Sequence, residues 1–199
     1  SGSPTQYNVV WANNPSFSPT AGAAYPTSSS YTAPSALSVG TWYWKVRARD
    51  AAGNWSSYSS ARTLYIDTTA PTSNSISIAG GATYTTSTSV TLTLASTGAS
   101  QMRFKNESGG TYSSYESYST SKSWTLGSGD GTKTVYAQFK DAAGNVATAV
   151  TDTIILDTVD PTVVVTSPNG GESWNGTKTI TWTTTDTNKY ARIIYVSTN

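Results

Sequence analysis

Apolar and polar residues alternate along much of this chain. In the segment 41–49 every second position is apolar, namely Trp42, Trp44, Val46 and Ala48, and the other positions carry Thr, Tyr, Lys and Arg. A repeat of two residues is typical of a half-buried β-strand, because successive side chains point to opposite faces of the sheet. No stretch sustains the 3.6-residue apolar repeat of a helix. The pattern predicts an all-β protein in which Trp42 and Trp44 lie in a core.

Two short sequences occur twice along the chain. DAAGN occupies 50–54 and again 141–145, and DTTAP at 67–71 has a counterpart in DTVDP at 157–161. The two offsets are 91 and 90 residues. Self-similarity at this period indicates tandem domains, because solenoids are built from much shorter repeats.

Each DAAGN copy lies between two alternating segments, so we expect it to form the tip of a β-hairpin. Gly and Asn tolerate the positive φ angles of tight turns, and the Asp side chain can accept hydrogen bonds from the turn backbone. When Asp141 is aligned with Asp50, Val135, Ala137 and Phe139 match the apolar positions of 41–50. We therefore expect these three residues to be buried.

Composition narrows the functional classes. The chain is 36% hydrophobic, with seven Trp and thirteen Tyr, and only 12% of its residues are charged, about half the usual share. Its net charge of +1 predicts no general attraction to nucleic acid, and no apolar run is long enough for a membrane span. The absence of Cys excludes disulfides and thiolate metal sites. The Ser- and Thr-rich, weakly charged composition favours a location outside the cell, at the cell surface.

Three segments carry a family resemblance. TWYWKVRARDAAGNWSSYSS resembles the last two strands of a fibronectin type III-like domain, and the middle region, from SVTLTL to KDAAGN, resembles the bacterial immunoglobulin-like modules of large microbial surface or secreted proteins. VTSPNGGESWNGTKTITWTTTDTN resembles the start of a module of secreted and cell-wall proteins. The resemblance implies tandem immunoglobulin-like β-sandwiches, and it is weak evidence for function because this fold has many roles.

The resemblance also implies domain boundaries. Residues 1–67 match a fibronectin type III-like domain without its first strands, 68–157 a complete immunoglobulin-like domain, and 158–199 the first strands of a third sandwich. The sandwiches at both ends are thus incomplete. For the middle domain we expect seven strands, near 75–79, 88–94, 100–105, 111–118, 122–126, 133–140 and 146–156.

An open half-sandwich exposes apolar surface, so the last segment needs a partner. Six alternating residues are expected to form one buried stripe: Val163, Val165, Ile180, Trp182, Ile193 and Tyr195. Two explanations stay open. The chain is an excerpt of a longer array whose neighbouring modules cover the stripe, or the stripe completes the first domain of another copy, which gives head-to-tail assembly by strand complementation.

Catalytic chemistry has little support in the sequence. There is no His and no Cys, so no imidazole can activate any of the many Ser and Thr hydroxyls. Neither a nucleophile elbow nor a phosphate-binding loop occurs. We expect a protein that is not an enzyme.

Calcium is the one candidate cofactor. Asp67, Asp157 and Asp160 lie in the two predicted linkers, and linker carboxylates are suitable oxygen ligands. Calcium needs six to eight oxygens, which these three residues supply only in part. The alternative that these aspartates cap turns stays open. We expect no other cofactor.

Carbohydrate is the second candidate ligand. Tyr112, Tyr115 and Tyr118 follow one another at intervals of three, and exposed aromatic rings can stack on sugars. Packing within the domain is the alternative explanation. Glycosylation sequons begin at Asn54, Asn106 and Asn175.

The sequence as a whole predicts a non-catalytic scaffold, spacer, fibre or surface-layer unit, with a carbohydrate-binding or adhesive module as the alternative. Its expected partners are copies of the same chain or adjacent modules, and surface polysaccharide.

Overall fold

The computed structural model describes residues 3–186. Within this range all regular structure is β-strand, apart from one short 3-10 turn at Ala79–Gly81, so the predicted all-β class is confirmed. The backbone divides into two compact units. The first contains the residues up to Pro71 together with Gly98–Ser100 and Lys140–Ala147, and the second contains the rest. In residues 3–186 no helix is long and apolar enough to cross a lipid bilayer.

One antiparallel sheet forms the first unit. Its strands are β1 (Gln6–Ala12), β2 (Gly22–Ala24), β3 (Gly40–Arg49) and β4 (Arg62–Ile66), in the order β2-β1-β3-β4. The register places Trp11 opposite Trp44 and Val9 opposite Val46. Since paired residues share a face, these four side chains lie on one side of the sheet, while the buried Val10 and Ala12 lie on the other side, opposite Lys45 and Tyr43.

Two sheets form most of the second unit. The first contains β5 (Thr72–Ile78), β7 (Ser89–Thr97) and β10 (Ser121–Thr125) in the order β10-β7-β5. The second contains β6 (Tyr84–Thr85), β8 (Gln101–Asn106), β9 (Glu116–Ser117), β11 (Gly131–Lys140) and β12 (Val150–Leu156) in the order β6-β12-β11-β8-β9. Long antiparallel pairing joins β11 to β12, the two strands around the second DAAGN.

The core of the second unit is formed by alternate positions of both sheets, as in a β-sandwich. Val135, Ala137 and Phe139 are completely buried, which confirms their prediction. Other buried core residues are Ile78, Val90, Leu92, Leu94, Met102, Phe104, Leu126, Ile154 and Leu156.

The strand expected over 111–118 is wrong in extent, because only Glu116–Ser117 forms one. Just before it, Ser113 uses its own hydroxyl in place of a backbone acceptor. Phe104 N donates to Ser113 Oγ at 3.1 Å, and Ser113 N donates to Phe104 O at 2.8 Å. This side-chain hydrogen bond interrupts the backbone pairing of two strands while keeping the segment against β8.

A separate hairpin follows the sandwich. Its strands, β13 (Thr162–Ser167) and β14 (Thr181–Thr185), pair with Val163 opposite Thr184 and Val165 opposite Trp182. Val163 is 62% exposed and Val165 51%. The predicted stripe residues Ile193 and Tyr195 lie outside the described residues.

Substitution of Leu92 by Ala should destabilise the sandwich by about 2–5 kcal/mol, because a completely buried side chain leaves a cavity. The exposed neighbour Thr93 provides the control, and Thr93→Ala should change stability by less than about 1 kcal/mol. Urea unfolding of both variants measures the difference. Equal losses would contradict the assignment of this core.

Candidate functional site

The first sheet carries an open apolar face. This surface, called the groove below, has a volume of about 450 Å³. The strands contribute Tyr7, Val9, Trp11, Trp42, Tyr43, Trp44, Val46 and Leu64, and the segment after β2 contributes Pro26, Ser28, Ser29, Ser30, Tyr31, Ala33 and Leu37. No charged side chain lines it. The groove is therefore a candidate docking surface for another apolar face.

Trp11 anchors one side of the groove. Its ring stacks on Tyr31 with 5.6 Å between ring centroids. Its indole also occupies the space where any side chain at the paired Gly22 would begin, so that position requires glycine. Trp42 Nε1 donates to Ser38 O at 2.8 Å, which holds the segment before β3 against the strand.

The sequence prediction that Trp44 lies in a core is wrong. Trp44 is 41% exposed, and Leu64 beside it on β4 is 47% exposed. The described part of the first unit contains a single sheet, so no second sheet of that unit covers this face. Alternation correctly placed Trp44 and Val46 on one side, but it could not show whether another layer lies over them.

The opposite face of the first sheet is covered by an alternation of cationic and aromatic side chains. Lys45 Nζ lies 4.1 Å from the ring centroid of Phe17 and 4.7 Å from that of Tyr58. The Arg47 guanidinium lies 4.7 Å from the centroids of Tyr58 and Trp55. We call these five residues the cation–aromatic ladder. Each contact is worth about 0.5–2 kcal/mol, according to exposure.

A buried asparagine anchors the ladder to β1. Asn8 is 1% exposed, and its Oδ1 accepts hydrogen bonds from Tyr58 and from Arg47 Nε. Two serines hold the aromatic segment against β3. Ala48 N donates to Ser56 Oγ and Val46 N to Ser59 Oγ, while the serine N–H groups donate to the carbonyls of the same two residues.

The second unit repeats this arrangement on β8. The Arg103 guanidinium lies 4.5 Å from the ring centroids of both Tyr112 and Tyr115, and its Nε donates to Gln138 Oε1 at 2.9 Å. Burial raises the pKa of Tyr112, although the nearby Arg103 opposes this shift. The third tyrosine predicted for sugar binding, Tyr118, packs edge-on against Phe139. Sugar binding by these tyrosines stays a prediction.

Sequence reasoning missed both the ladder and the groove. A signal for the ladder was present, because WSSYSS at 55–60 and YSSYES at 112–117 share two aromatic residues at a spacing of three, separated by serines. Each accompanies basic residues two positions apart on a strand, in 45–49 and 103–105. The groove had no comparable signal, because its lining depends on strand register.

Both DAAGN copies form the predicted hairpin tip. Arg49 and Trp55 pair across the first, and Lys140 and Val146 pair across the second. The residues between them lie in turns rather than in strands, and the chain returns in β4 and β12.

The two turns also share their hydrogen bonds. In each, a carboxylate oxygen accepts from the asparagine backbone N–H at 2.8 Å. The other oxygen accepts from the asparagine amide, at 3.0 Å from Asn54 to Asp50 and 2.9 Å from Asn145 to Asp141. Gly53 and Gly144, with φ of 95° and 99°, supply the left-handed backbone that closes each turn.

The second turn differs in its surroundings. Asp141 is only 7% exposed, and the Asn145 amide also donates to the backbone carbonyl of Asp67 at 3.1 Å. The Asn145 side-chain hydrogen bond, with backbone N–H groups of the turn, holds the pKa of Asp141 below its ordinary value of 3.8, against the opposing effect of burial. The pKa of Asp50 is lowered by the same contacts from Asn54.

Two of the three candidate calcium ligands accept hydrogen bonds within their own turns. Asp67 Oδ1 accepts from Thr69 N at 2.9 Å, and Asp157 Oδ1 from Val159 N at 3.4 Å. Asp157 and Asp160, together with Asp186, line one hollow of the second unit. Within residues 3–186 no group of three or more acidic side chains is close enough to hold a metal ion. Calcium binding stays a prediction.

The three sequons differ in how their amides are used. The Asn54 amide is held in the first turn, and the Asn106 amide donates to Thr125 O at 2.9 Å. Asn106 Oδ1 also accepts from Trp124 Nε1 at 2.7 Å. Asn175 lies in an exposed loop. Of the three, Asn175 therefore has the most accessible position for modification.

Comparisons with known proteins identify the fold. No protein-family model matches the chain, and no curated protein matches it. The fibronectin(III)-like modules of Clostridium thermocellum CbhA are 14% identical, with a TM-score of 0.50, over 78% of this chain and 80% of that one. The FN1-FN3 domains of chicken CNTN1 are also 14% identical, with a TM-score of 0.50, over 77% of this chain and 56% of that one. The chain thus has a fold of the fibronectin type III and immunoglobulin-like class, as expected from the sequence.

Acid should weaken the second turn through Asp141. Because the folded-state pKa is lowered, the charged carboxylate contributes stability above about pH 4, and this contribution is lost as the pH falls through the folded pKa. Asp141→Asn should therefore be less stable than the parent at pH 7 and should lose less stability between pH 5 and pH 2. Urea unfolding across this range measures both. Asp160→Asn, at an exposed carboxylate, is the control, and an identical pH profile for Asp141→Asn and the parent would contradict the assignment.

Proposed function

We propose that this chain is a non-catalytic structural module array of a cell-surface or secreted microbial protein. Its modules correspond to residues 1–67, 68–157 and 158–199, and it serves as a scaffold, spacer, fibre or surface-layer unit. The observation that carries this proposal is the use of polar side chains. The charged side chains best suited to chemistry instead have structural roles. The carboxylates close turns, in Asp50 and Asp141, and the guanidinium groups cover sheets, in Arg47 and Arg103.

The fold supports the same proposal. Fibronectin type III-like domains in the two similar structures are described as modules or as a run of domains, and this chain resembles them along three quarters of its length. A sandwich whose two sheets bury a shared apolar core has the cooperative packing that a spacer requires. The Ser- and Thr-rich, weakly charged composition is compatible with a location outside the cell.

A catalytic role has no support from the described side chains. The chain lacks His and Cys, so general base catalysis would depend on carboxylates, Lys or Tyr. Asp50 and Asp141 accept hydrogen bonds from their own turns, which lowers their pKa and weakens them as bases. This direction is opposite to the one that prepares a carboxylate for acid–base chemistry at neutral pH.

Single-molecule stretching tests the spacer role. With handles at residues 68 and 157, the middle domain should unfold in one step and refold after relaxation, because its two sheets share one core. The step should lengthen the chain by about 300 Å, given an extended span of about 3.3–3.6 Å per residue. Leu92→Ala should lower the unfolding force, whereas Thr93→Ala should not. Gradual extension without a discrete step would argue against a mechanical module.

A carbohydrate-binding or adhesive module is the second candidate. It is favoured by the aromatic segment that contains Tyr112 and Tyr115, although Arg103 already lies against both rings. We therefore expect no specific retention on a glycan array. Retention that Tyr115→Ala abolishes and the control Tyr84→Ala preserves would reverse this ranking; Tyr84 is 43% exposed on β6.

A further inference from the structure

We propose that the groove of the first sheet receives the β13–β14 hairpin of a second copy of this chain, packed face to face as the missing layer of a sandwich. This inference rests on the proposed structural role and names the partner. It also differs from strand addition at a sheet edge, because the apolar faces make the contact.

The groove has the properties of an inner sandwich face. Apolar side chains of adjacent strands stand in register, as shown by the pairs Trp11–Trp44 and Val9–Val46. Trp44 and Leu64 nevertheless keep 41% and 47% of their surface in solvent. Large apolar side chains in such a row are normally covered by a second sheet about 10 Å away.

The hairpin has one predominantly apolar face and one predominantly polar face, on which Val164 lies among threonines. Register places Val163, Val165 and Trp182 on the same side. The other side is rich in threonine, and its hydroxyl groups pair across the strands, Thr162 with Thr185 and Thr166 with Thr181. A two-stranded hairpin is marginally stable in water, so its apolar face requires a cover.

The two surfaces correspond in sequence pattern and in charge. Both alternate with a period of two residues, and neither the groove lining nor the apolar face of the hairpin contains a charged residue. The other face of the first sheet is covered by the cation–aromatic ladder, and the other face of the hairpin carries threonine hydroxyls that hydrogen-bond across the strands. Stacking the two open faces therefore buries apolar surface on both sides without burying an unpaired charge.

The size of the surfaces sets the strength of the contact. Partly exposed side chains such as Trp44, Leu64, Val163 and Val165 offer on the order of a few hundred Å² on each side, compared with about 800 Å² per partner in a standard interface. A single contact should therefore be weak. Because the two surfaces differ, each copy can use both, so successive weak contacts extend a head-to-tail chain whose length rises with concentration.

Cross-linking provides the direct test, because the chain contains no cysteine. Leu64→Cys places one thiol at the groove, and Val163→Cys places another on the apolar face of the hairpin. Val164→Cys is the matched control, since Val164 is 61% exposed, next to Val163 at 62%, and points to the opposite face. After mild oxidation of mixed variants, the 64–163 heterodimer should form several-fold faster than the 64–164 heterodimer. Equal rates would overturn the proposal.

Sedimentation velocity gives an independent measurement without oxidation. The weight-average sedimentation coefficient of the parent and of Val164→Asp should rise with concentration. Val163→Asp should require a concentration about tenfold higher or more, because it brings a charge into the contact. A parent that stays monomeric throughout, whether its groove is empty or occupied by a glycan, would overturn the proposal.

The two proposals can fail separately. A middle domain that unfolds in one step, in a chain that never self-associates, retains the spacer role and loses only the assembly. Self-association in a chain whose middle domain extends gradually would retain the assembly and reject the spacer role.

Discussion

Every sheet in this chain has to cover its apolar face, and the arrangement of the molecule follows from how each one does so. The two sheets of the second unit cover one another and bury residues such as Phe104 and Phe139 completely. The first sheet covers only one face, with long cationic side chains that lie between aromatic rings. Its other face and the apolar face of the β13–β14 hairpin remain open. The proposed self-association concerns these two open faces.

The same local side-chain hydrogen bonds recur beside strands and in hairpin turns along the chain. In both units, a serine hydroxyl replaces a backbone acceptor beside a strand, and this allows an irregular aromatic segment to lie over basic residues. In both hairpins, an aspartate and an asparagine four residues apart close the turn with the same bonds. The repeated DAAGN sequence thus determines the geometry of the turn, whereas the surroundings of the two turns differ. Only one of the two aspartates, Asp141, is buried.

Strand positions and core faces could be predicted from the sequence, since alternation and turn residues are local signals. The expectation of a strand near 133–140 corresponds to β11, and Val135 and Phe139 are buried as expected. The exposure of Trp44 could not be predicted in this way, because alternation assigns residues to a face but does not show whether a second layer covers it. The groove could not be predicted, because Trp11 and Tyr31 meet only through strand register and a long loop.

Amide hydrogen exchange, measured at several protein concentrations, shows whether the open face of the first sheet and the hairpin cover one another in neighbouring copies. If they do, amides of β1, β3, β13 and β14 gain protection together as concentration rises, while those of β7 and β11 in the closed sandwich do not change. Exchange in all these strands that is independent of concentration would rule out this mutual covering.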